Sequence, residues 1–404
     1  MEQISLKILH VLDRSIPNLS GYSIRSKYIV ENQNKLGFCP IVLTSPRFHT
    51  GKKTEILNNI EYIRTTLKKH NPVFTLPFIK EFYEIILVLR KILHISRKHD
   101  FDIIHAHSPS LWGIAAMLAA QRLKKPFCYE VRAFWEDAAV DLGRFKEQSL
   151  FYRISQHIEN IVFKKADAII CICNGLKKEI ISRINKKNIF LVPNGVDTKI
   201  FRPLPKSNEL SKKYDLEGKT TIGFIGSFFT FEGLDLLIRA IPKILRNRGN
   251  IAFLFVGDGV ERENLTNLVK SMRLPSDRII FTGRVPHEKI LNYYSLLDIL
   301  VYPRTSKRIT ELVTPLKPLE AMSMGKVVLA SNVGGLQELI EDNVNGVIFE
   351  KDNIDDLASK LIMLLDRKDL RQKIGQKAIE SMRIDRDWSR IIHKYKRIYS
   401  TIIR

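Results

Sequence analysis

The strongest constraint on the fold is an alternation of short apolar segments with longer segments of helical length, which occurs twice along the chain. The apolar segments of the first half are Leu6–Asp13, Pro40–Ser45, Phe101–Ser108, Pro126–Val131, Ala166–Cys173 and Ile189–Gly195. Those of the second half are Thr221–Gly226, Ile251–Gly259, Arg278–Gly283, Leu297–Pro303, Lys326–Ser331 and Asn345–Glu350. Near-continuous apolar strands between helices are typical of parallel sheets that are covered on both faces. The sequence therefore predicts an α/β protein with two doubly wound sheets.

The chain of 404 residues is long for one hydrophobic core, so two domains are expected. We assign residues 1–200 to the first domain and residues 220–384 to the second. The polar, proline-containing residues 201–219 are predicted to be the connection. A terminal helix over residues 385–404 is expected to pack back on the first domain. Two such domains are expected to face a central cleft, with ligands at the carboxyl ends of the strands.

The net charge of +22, from 65 basic and 43 acidic residues, favours polyanionic partners. Nucleic acid, anionic lipid and phosphate-bearing small molecules all fit this charge, but no nucleic-acid-binding motif accompanies it. Basic and apolar residues occur together in the predicted helix Pro77–Asp100. This helix is either an ordinary solvated helix or one that lies on a membrane surface.

The four cysteines, which are Cys39, Cys128, Cys171 and Cys173, lie in apolar strand-like segments. Buried thiols in a reducing compartment are favoured over a zinc site or a disulfide. No signal peptide precedes the first strand, and the longest apolar run, Ile85–Leu89, is too short to cross a bilayer. We therefore expect a cytoplasmic protein.

Several predicted strands end in a small-residue turn that opens a helix, which is a favourable arrangement for binding anions. These junctions are Ser20–Tyr22, Gly226–Leu237, Gly257–Arg262 and Ser331–Ile340. Their occurrence in both halves indicates a phosphate-bearing ligand, although a tight turn alone also explains each one.

The second half resembles glycosyltransferase family 4 over nearly all of residues 221–365. The resemblance rests on FTGRVPHEKILNYYSLLDILVYP, LKPLEAMSMGKVVLASNVGGLQELIEDNVNGVIFE and the preceding TIGFIGSF, EGLDLLIRAIP and FLFVGDG. The first half, with SGYSIRS, DIIHAHSP and YEVRAFWEDA, is similar to exosortase (PEP-CTERM)-associated exopolysaccharide glycosyltransferases. This resemblance implies a GT-B fold of two Rossmann-like domains and retaining sugar transfer from a nucleotide sugar, with no metal or other cofactor.

The resemblance also implies roles for residues of the second half. Glu320 matches the family's second glutamate, which accepts hydrogen bonds from the ribose hydroxyls. The family's first glutamate is replaced by Leu312, so the sugar hydroxyls are expected to meet either Glu311 or the backbone around Pro315 and Leu316.

The sequence also differs from the family pattern at the residues that contact the diphosphate. The family's arginine and lysine at this site are replaced by Ser227 and Glu232. We expect Arg304, Arg308 and Lys317 to act in their place and to stabilise the leaving diphosphate. The remaining predicted donor contacts are Gly226, Ser227, Gly257, Gly283, Arg284 and Val285, with the base read by the main chain of Gly283–Pro286.

On the acceptor side, His105 and His107 share one strand face, and His107 is predicted to orient an acceptor hydroxyl or to take its proton. Arg132 stands where many members of the family have a histidine. The predicted acceptor contacts are Gly21, Tyr22, Glu130, Arg132 and Trp135.

The expected function is transfer of a hexose-type sugar to a glycan or lipid-linked acceptor in exopolysaccharide or cell-surface polysaccharide biosynthesis. We expect the enzyme to act in the cytoplasm, with peripheral contact to the anionic inner face of the membrane. The alternatives are a nucleotide-sugar epimerase on the same fold and a non-catalytic binder of polyanions or nucleic acid.

Overall fold

The chain forms two α/β units, each built around one mainly parallel sheet. The computed structural model describes residues 6–66, 79–141, 143, 146–246 and 249–403. The first unit comprises the chain up to Pro193 together with the residues from Trp388 onward, and the second comprises Asn194–Asp387.

The first unit contains an eight-stranded sheet. Its strands are β1 (Lys7–Leu12), β2 (Cys39–Thr44), β3 (Thr54–Leu57), β4 (Ile60–Arg64), β5 (Ile103–His107), β6 (Phe127–Val131), β7 (Ala168–Cys171) and β8 (Ile189–Leu191). Its first helices are α1 (Gly21–Lys35), α2 (Ile79–Ile95), α3 (Ser110–Leu123), α4 (Trp135–Asp141), α5 (Leu150–Lys165) and α6 (Asn174–Arg183). The strand order is β3-β4-β2-β1-β5-β6-β7-β8.

All strand pairs of this sheet are parallel except the edge pair of β3 and β4. The six predicted strands are present, and β5 and β6 are buried at every position. Strands β3 and β4 are absent from the prediction, and β3 is partly exposed along its length and shows no apolar run. The predicted helix Pro77–Asp100 corresponds to α2, and its first two residues lie outside the described ranges.

The second unit contains a six-stranded parallel sheet of order β11-β10-β9-β12-β13-β14. Its strands are β9 (Thr220–Ile225), β10 (Ile251–Val256), β11 (Ile279–Gly283), β12 (Ile299–Tyr302), β13 (Val327–Ser331) and β14 (Val347–Phe349). Its helices are α7 (Asn208–Lys213), α8 (Leu234–Leu245), α9 (Arg262–Ser271), α10 (Ile290–Leu296), α11 (Arg308–Leu312), α12 (Lys317–Ser323), α13 (Gly334–Gln337), α14 (Ile354–Asp366) and α15 (Lys368–Ser381). The predicted fold class is confirmed: both sheets are doubly wound in the manner of Rossmann-like domains.

The chain returns to the first unit after a π-helical turn, Met382–Arg386. Two helices follow, α16 (Trp388–Ile391) and α17 (His393–Ile402). Trp388, Tyr395 and Tyr399 are buried in a cluster that also contains residues of β1, β5 and β6. The last helices are therefore part of the first unit's core.

The predicted connection over residues 201–219 is wrong. Phe201 and Leu216 are buried in the core of the second unit, and α7 lies between them. The first unit ends at Pro193, before the predicted boundary at residue 200. The apolar side chains of this polar segment are unevenly spaced and show no clear periodicity, so the sequence alone did not reveal their burial.

The four cysteines, all within the described ranges, form no disulfide, and Cys39 differs from the other three because it is exposed. In the part of the chain that the structure describes, no helix has both the length and the apolar character needed to cross a membrane.

Strands β9 and β10 pack closely at Gly223 and Leu254, and a larger side chain at Gly223 should therefore destabilise the second unit. A Cβ at Gly223 would lie 1.9 Å from the carbonyl oxygen of Leu254, whereas one at Gly249 would meet nothing within 4 Å. Gly223→Ala should therefore lower the free energy of unfolding by about 3 kcal/mol or more. Gly249→Ala should change it by less than about 0.5 kcal/mol. Urea unfolding followed by circular dichroism measures both, and equal stability of the two variants would contradict this packing.

Candidate functional site

Three strand ends come together in the second unit. β9, β10 and β11 pair in parallel, and Gly226, Gly257 and Gly283 lie at or just after their carboxyl ends. The N–H of Gly257 donates to the carbonyl oxygen of Gly283 at 3.2 Å, and a Cβ at Gly257 would lie 1.8 Å from the carbonyl oxygen of Gly226. Gly257 also has φ of 140°, so only glycine fits this crossing. Among the predicted neighbours, Ser227 and Arg284 are exposed and Val285 is half-buried.

Glu320 lies in the first turn of α12, and it is 7% exposed. Its Oε2 atom accepts hydrogen bonds from the Tyr294 hydroxyl and from Nζ of Lys317, each at 2.8 Å. Burial, and then the charge of Glu320, raise the pKa of Tyr294 well above its usual range, so the phenol stays a neutral donor. Among the described residues Oε1 has no hydrogen-bond partner. One oxygen is thus fixed by the protein and the other is available for a ligand hydroxyl.

Arg304 follows β12 and forms a two-pronged ion pair with Glu232. Its Nε lies 3.0 Å from Oε2, and its Nη2 lies 2.7 Å from Oε1. The side chains are only 12% and 9% exposed, respectively. Glu232, which stands where the resembling family has a lysine, is therefore neutralised by an arginine from another segment of the second unit.

Glu311 holds the segment after β12 against the start of α13. Its Oε1 accepts from Nζ of Lys351 and from the Ser306 hydroxyl at 2.6 Å each, and its Oε2 accepts from the N–H of Gly334 at 2.8 Å. Burial works against ionisation, but these donors, led by Lys351, lower the pKa of Glu311. A carboxylate at a helix N-terminus is favourable for the helix, so Glu311 has a structural role in this conformation.

The predicted replacement of the missing cations needs a correction. Arg304 and Lys317 are both paired with carboxylates, so neither is a spare positive charge in this conformation. Arg308 is the first residue of α11 and is half-buried. Pro315 and Leu316 lie in the half-buried turn directly before α12, close in sequence to Lys317.

The sequence analysis missed three residues of this region. Tyr294 supports Glu320, and Lys351 neutralises Glu311. Arg262 reaches the backbone of Gly283, where its Nη1 would lie 2.9 Å from an added Cβ. Their roles do not follow from the local sequence, because each residue acts on a partner that lies in another segment of the chain.

In the first unit, Glu130 at the end of β6 carries a buried carboxylate that is surrounded by donors. Its Oε1 accepts from Nε of Arg25 and from Nε of Arg132 at 3.0 Å each, and its Oε2 accepts from the Tyr395 hydroxyl at 2.6 Å. Burial alone would raise the pKa of Glu130, but the two guanidinium groups hold it well below its usual range. The charge is therefore retained in the core.

A chain of hydrogen bonds extends from Arg132 through the histidines. Its Nη2 donates to Nδ1 of His107 at 2.7 Å, which leaves the His107 proton on Nε2, 3.0 Å from Nδ1 of His10. Nε2 of His10 then donates to Oε1 of Gln33 at 2.8 Å. Burial lowers the pKa of His107 to about 3 and that of His10 to about 4. Both rings are therefore neutral at physiological pH.

The same network reaches His105 from α17. The amide of Gln33 donates to the Tyr399 hydroxyl at 2.9 Å, and this hydroxyl lies 2.9 Å from Nδ1 of His105. Nε2 of His105 is left without a partner, 3.7 Å from Oε2 of Glu130. Burial also lowers the pKa of His105 well below its usual value.

Within the described ranges, the candidate metal ligands are His10, His105 and His107, whose ligand atoms lie within 4.8 Å of one another. Two of the facing nitrogens, on His10 and His107, already share a hydrogen bond. The adjacent charges of Arg25 and Arg132 also oppose a cation. The hydrogen-bond chain therefore explains the closeness of the rings, and the residues do not fit a metal centre.

Two predicted acceptor-side roles are corrected by this geometry. His107 and Glu130 are completely buried, and their polar atoms are engaged by other side chains, so in this conformation neither presents an atom to an acceptor. Arg132 is 7% exposed, and its guanidinium lies 4.3 Å from the centre of the Tyr22 ring. The remaining predicted contacts reach the surface: Gly21 is exposed, and Tyr22 and Trp135 are half-buried.

The buried histidines predict a steep loss of stability in acid. Each is neutral when folded but gains a proton on unfolding below its ordinary pKa of 6.5, so stability is complete above this pH and falls as the pH drops toward about 4. Each proton contributes about 1.4 kcal/mol per pH unit, or about 4 kcal/mol per unit for three histidines. The chain's three tryptophans, Trp112, Trp135 and Trp388, all lie in the first unit, so their fluorescence in urea reports its unfolding.

The matched variants are His105→Gln and His157→Gln. His105→Gln should reduce the slope of the free energy of unfolding against pH by about 1.4 kcal/mol per pH unit. The second, at an exposed position of α5, should leave it as in the wild type. A wild-type stability that is flat between pH 6.5 and 4.5 would contradict the buried neutral cluster.

The pair of Arg304 and Glu232 predicts a strong energetic coupling. Arg304→Met leaves a nearly buried carboxylate unpaired and should cost about 3 kcal/mol, whereas Arg304→Met/Glu232→Met should recover most of this loss. The exposed pair of Asp235 and Arg239, whose side chains are each 49% exposed, is the control. The double-mutant cycle of this control pair should give a coupling energy of less than about 0.5 kcal/mol. Hydrogen exchange of peptides from the second unit measures both couplings, and equal values would refute the assignment.

Comparisons with known proteins agree with this architecture. The sequence model of the family described as Glycosyltransferase Family 4 matches residues 28–200, and that of Glycosyl transferases group 1 matches residues 206–381. An uncharacterized glycosyltransferase of Methanocaldococcus jannaschii is 25% identical over 403 residues, 96% of each chain. The GPI3 subunit of Saccharomyces cerevisiae phosphatidylinositol N-acetylglucosaminyltransferase is 23% identical over 99% of this chain and 84% of its own.

Solved structures match the fold over the whole chain. Sucrose-phosphate synthase from Thermosynechococcus elongatus superimposes with a TM-score of 0.80 at 20% identity and covers 98% of both chains. Anabaena HepE in complex with UDP-glucose gives a TM-score of 0.73 at 17% identity, covering 98% of this chain and all of its own. The chain is therefore a glycosyltransferase of GT-B fold, whose first half matches the Glycosyltransferase Family 4 model and whose second half matches the Glycosyl transferases group 1 model.

Proposed function

We propose that this enzyme transfers a hexose-type sugar, with retention of configuration, from a nucleotide sugar to a glycan or lipid-linked acceptor. The observation that carries the proposal is the geometry of Glu320. Its carboxylate is nearly buried at the start of α12, with Oε2 fixed by Tyr294 and Lys317 and Oε1 unengaged among the described residues. A fixed carboxylate oxygen of this kind suits a ribose diol, because it accepts hydrogen bonds from the hydroxyl groups of a nucleoside.

The diphosphate is proposed to bind at the carboxyl ends of the strands in the second unit. Ser227 and Arg284 are exposed beside these strand ends and are proposed to supply backbone N–H donors, and Arg308 and Lys317 are the cations proposed to contact the phosphates. Lys317 is paired with Glu320, so it supports the carboxylate, and it is proposed to contact the phosphate once a ligand enters. Fixed donors of this kind stabilise the negative charge that builds up on a leaving diphosphate.

The proposed chemistry needs no metal and no carboxylate nucleophile. The bond between the anomeric carbon and the phosphate oxygen breaks, and the acceptor oxygen bonds to the same face of that carbon. The acceptor proton moves to an oxygen of the leaving diphosphate. His107 is not assigned a proton-transfer role because its two ring nitrogens are engaged by Arg132 and His10.

A lipid-linked acceptor is supported by the GPI3 relative, which is named for a phosphatidylinositol substrate. A nucleotide-sugar donor is supported by the complex of HepE with UDP-glucose.

We further propose that the enzyme works at the inner face of the membrane in cell-surface polysaccharide synthesis. Ile79, Phe82 and Tyr83 are exposed at one end of α2, and Phe82 is 66% exposed. Sedimentation with phosphatidylglycerol vesicles measures this contact.

Incubation with radiolabelled UDP-glucose, UDP-N-acetylglucosamine and GDP-mannose, with and without membrane extract, tests the activity. Label should pass from one donor into a lipid-extractable or glycan product, and the anomeric proton coupling of that product should match the donor's. Activity in excess EDTA should be unchanged. Free epimerised donor, or no turnover of any nucleotide sugar, would contradict the proposal.

Site variants connect this activity to the donor residues. Glu320→Gln and Arg308→Ala should each lower kcat/KM by about 10²-fold, because both remove groups proposed to contact the donor. Lys270→Ala, at an exposed position of α9, is the control and should retain full activity. Full activity of Glu320→Gln would remove the main support of the proposal.

A further inference from the structure

We infer that the first unit contains a binding site for a phosphate group, separate from the proposed donor residues. The site is a cavity of about 260 Å³ between α2 and the sheet edge formed by β3 and β4. The basic side chains that line it are Lys53, Arg64, Arg90, Lys91 and His94, and the hydroxyl side chains are Thr65 and Thr66. None of the cavity's lining residues is acidic.

The helix contributes a basic stripe to this cavity. Leu87, Arg90, Lys91 and His94 follow the spacing i, i+3, i+4 and i+7, which places them on one face of α2. Leu87 and Lys91 are half-buried, whereas Arg90 and His94 are more exposed. The same face therefore offers an apolar floor and a row of nitrogen donors.

The sheet edge contributes the opposite wall. The N–H of Arg64 donates to the carbonyl oxygen of Lys53 at 2.8 Å, which holds the start of β3 beside the end of β4. Thr65 is 5% exposed, and its hydroxyl has no hydrogen-bond partner among the described residues. A buried hydroxyl without a partner is costly in a finished core, but it is expected beside a site that a polar ligand completes.

The charge of the cavity is uncompensated. Arg64 is neutralised by Glu55 at 2.6 Å, but Lys53, Arg90 and Lys91 form no ion pair with any residue in the described ranges. By contrast, Arg47 beside the same helix pairs with Glu84 at 2.6 Å. Cations gathered around a concave space repel one another, and an anion with several oxygens removes this repulsion while accepting their hydrogen bonds. Arginine and lysine together suit a phosphate.

The phosphate has two chemically equivalent sources, a small phosphorylated molecule or the headgroup of an anionic lipid. Both present the same oxygens to the cavity, and they differ in whether the group is free in solution or held in a bilayer. The site does not depend on the proposed sugar transfer, so binding is measured without any sugar donor present.

The experiment compares two double variants of the full chain that remove the same charge. Arg90→Gln/Lys91→Gln alters the cavity, and Arg97→Gln/Lys98→Gln alters exposed cations just beyond the end of α2. Binding of inorganic phosphate and of glycerol 3-phosphate is measured by calorimetry. Sedimentation is measured with vesicles of phosphatidylcholine containing phosphatidic acid.

The cavity variant should lose about tenfold or more in phosphate affinity or in vesicle binding, while the control variant stays within about twofold of the wild type. Loss with the soluble probes identifies a small phosphorylated ligand, and loss only with vesicles identifies a lipid headgroup. Thr65→Val should weaken the same binding without lowering the unfolding temperature, because the hydroxyl has no partner to lose. Equal binding by the two double variants, or no binding of any probe by the wild type, would overturn the inference.

Discussion

The ion pair between the Glu130 carboxylate and the guanidinium groups of Arg25 and Arg132 is the interaction on which the first unit depends most. A charge in a core is tolerated only when it is paired and hydrogen-bonded, and this one gathers donors from α1, from the segment after β6 and from Tyr395 on α17. The carboxylate thus fixes the last helix of the chain to the first sheet. Because Arg132 also donates to His107, the same charge orients the chain of neutral histidines beneath it.

Ion pairs also hold the loops that follow the strands of the second unit. The pairs of Arg304 with Glu232 and of Lys351 with Glu311 join segments that are far apart in sequence, and the pair of Lys317 with Glu320 lies within α12. Glu232, Arg304 and Glu320 are nearly buried, and pairing lets each of them keep its charge there. Pairing also means that the overall charge of +22 says little about this region. In the first unit, Lys53, Arg90 and Lys91 of the cavity beside α2 have no ion-pair partner among the described residues.

Sequence reasoning was most successful where a physical pattern repeats. Buried parallel strands must be apolar at successive positions, so all strands of the two sheets except β3 and β4 could be predicted from the sequence, and glycine turns marked where β9, β10 and β11 end. It failed where partners come from distant segments. Glu130 and His107 lie at strand ends and resemble ligand contacts. Glu130 is nevertheless enclosed by donors that include residues of α1 and α17, and the ring nitrogens of His107 are engaged by Arg132 and by His10 of β1. Phe201 and Leu216 lie in a polar segment but are buried in the second core.

The sequence by itself determined the class of fold, the order of strands and helices and the family to which the motifs point, because these follow from local periodicity and from short motifs. Only the tertiary structure decided which charged side chains form ion pairs with one another and which remain unpaired for a ligand. Arg304 and Arg90 look alike in the sequence, but one meets Glu232 and the other has no carboxylate partner among the described residues. The physical reason is that the energy of a charge depends on its neighbours in space and on its exposure to water, and neither is encoded in adjacent residues.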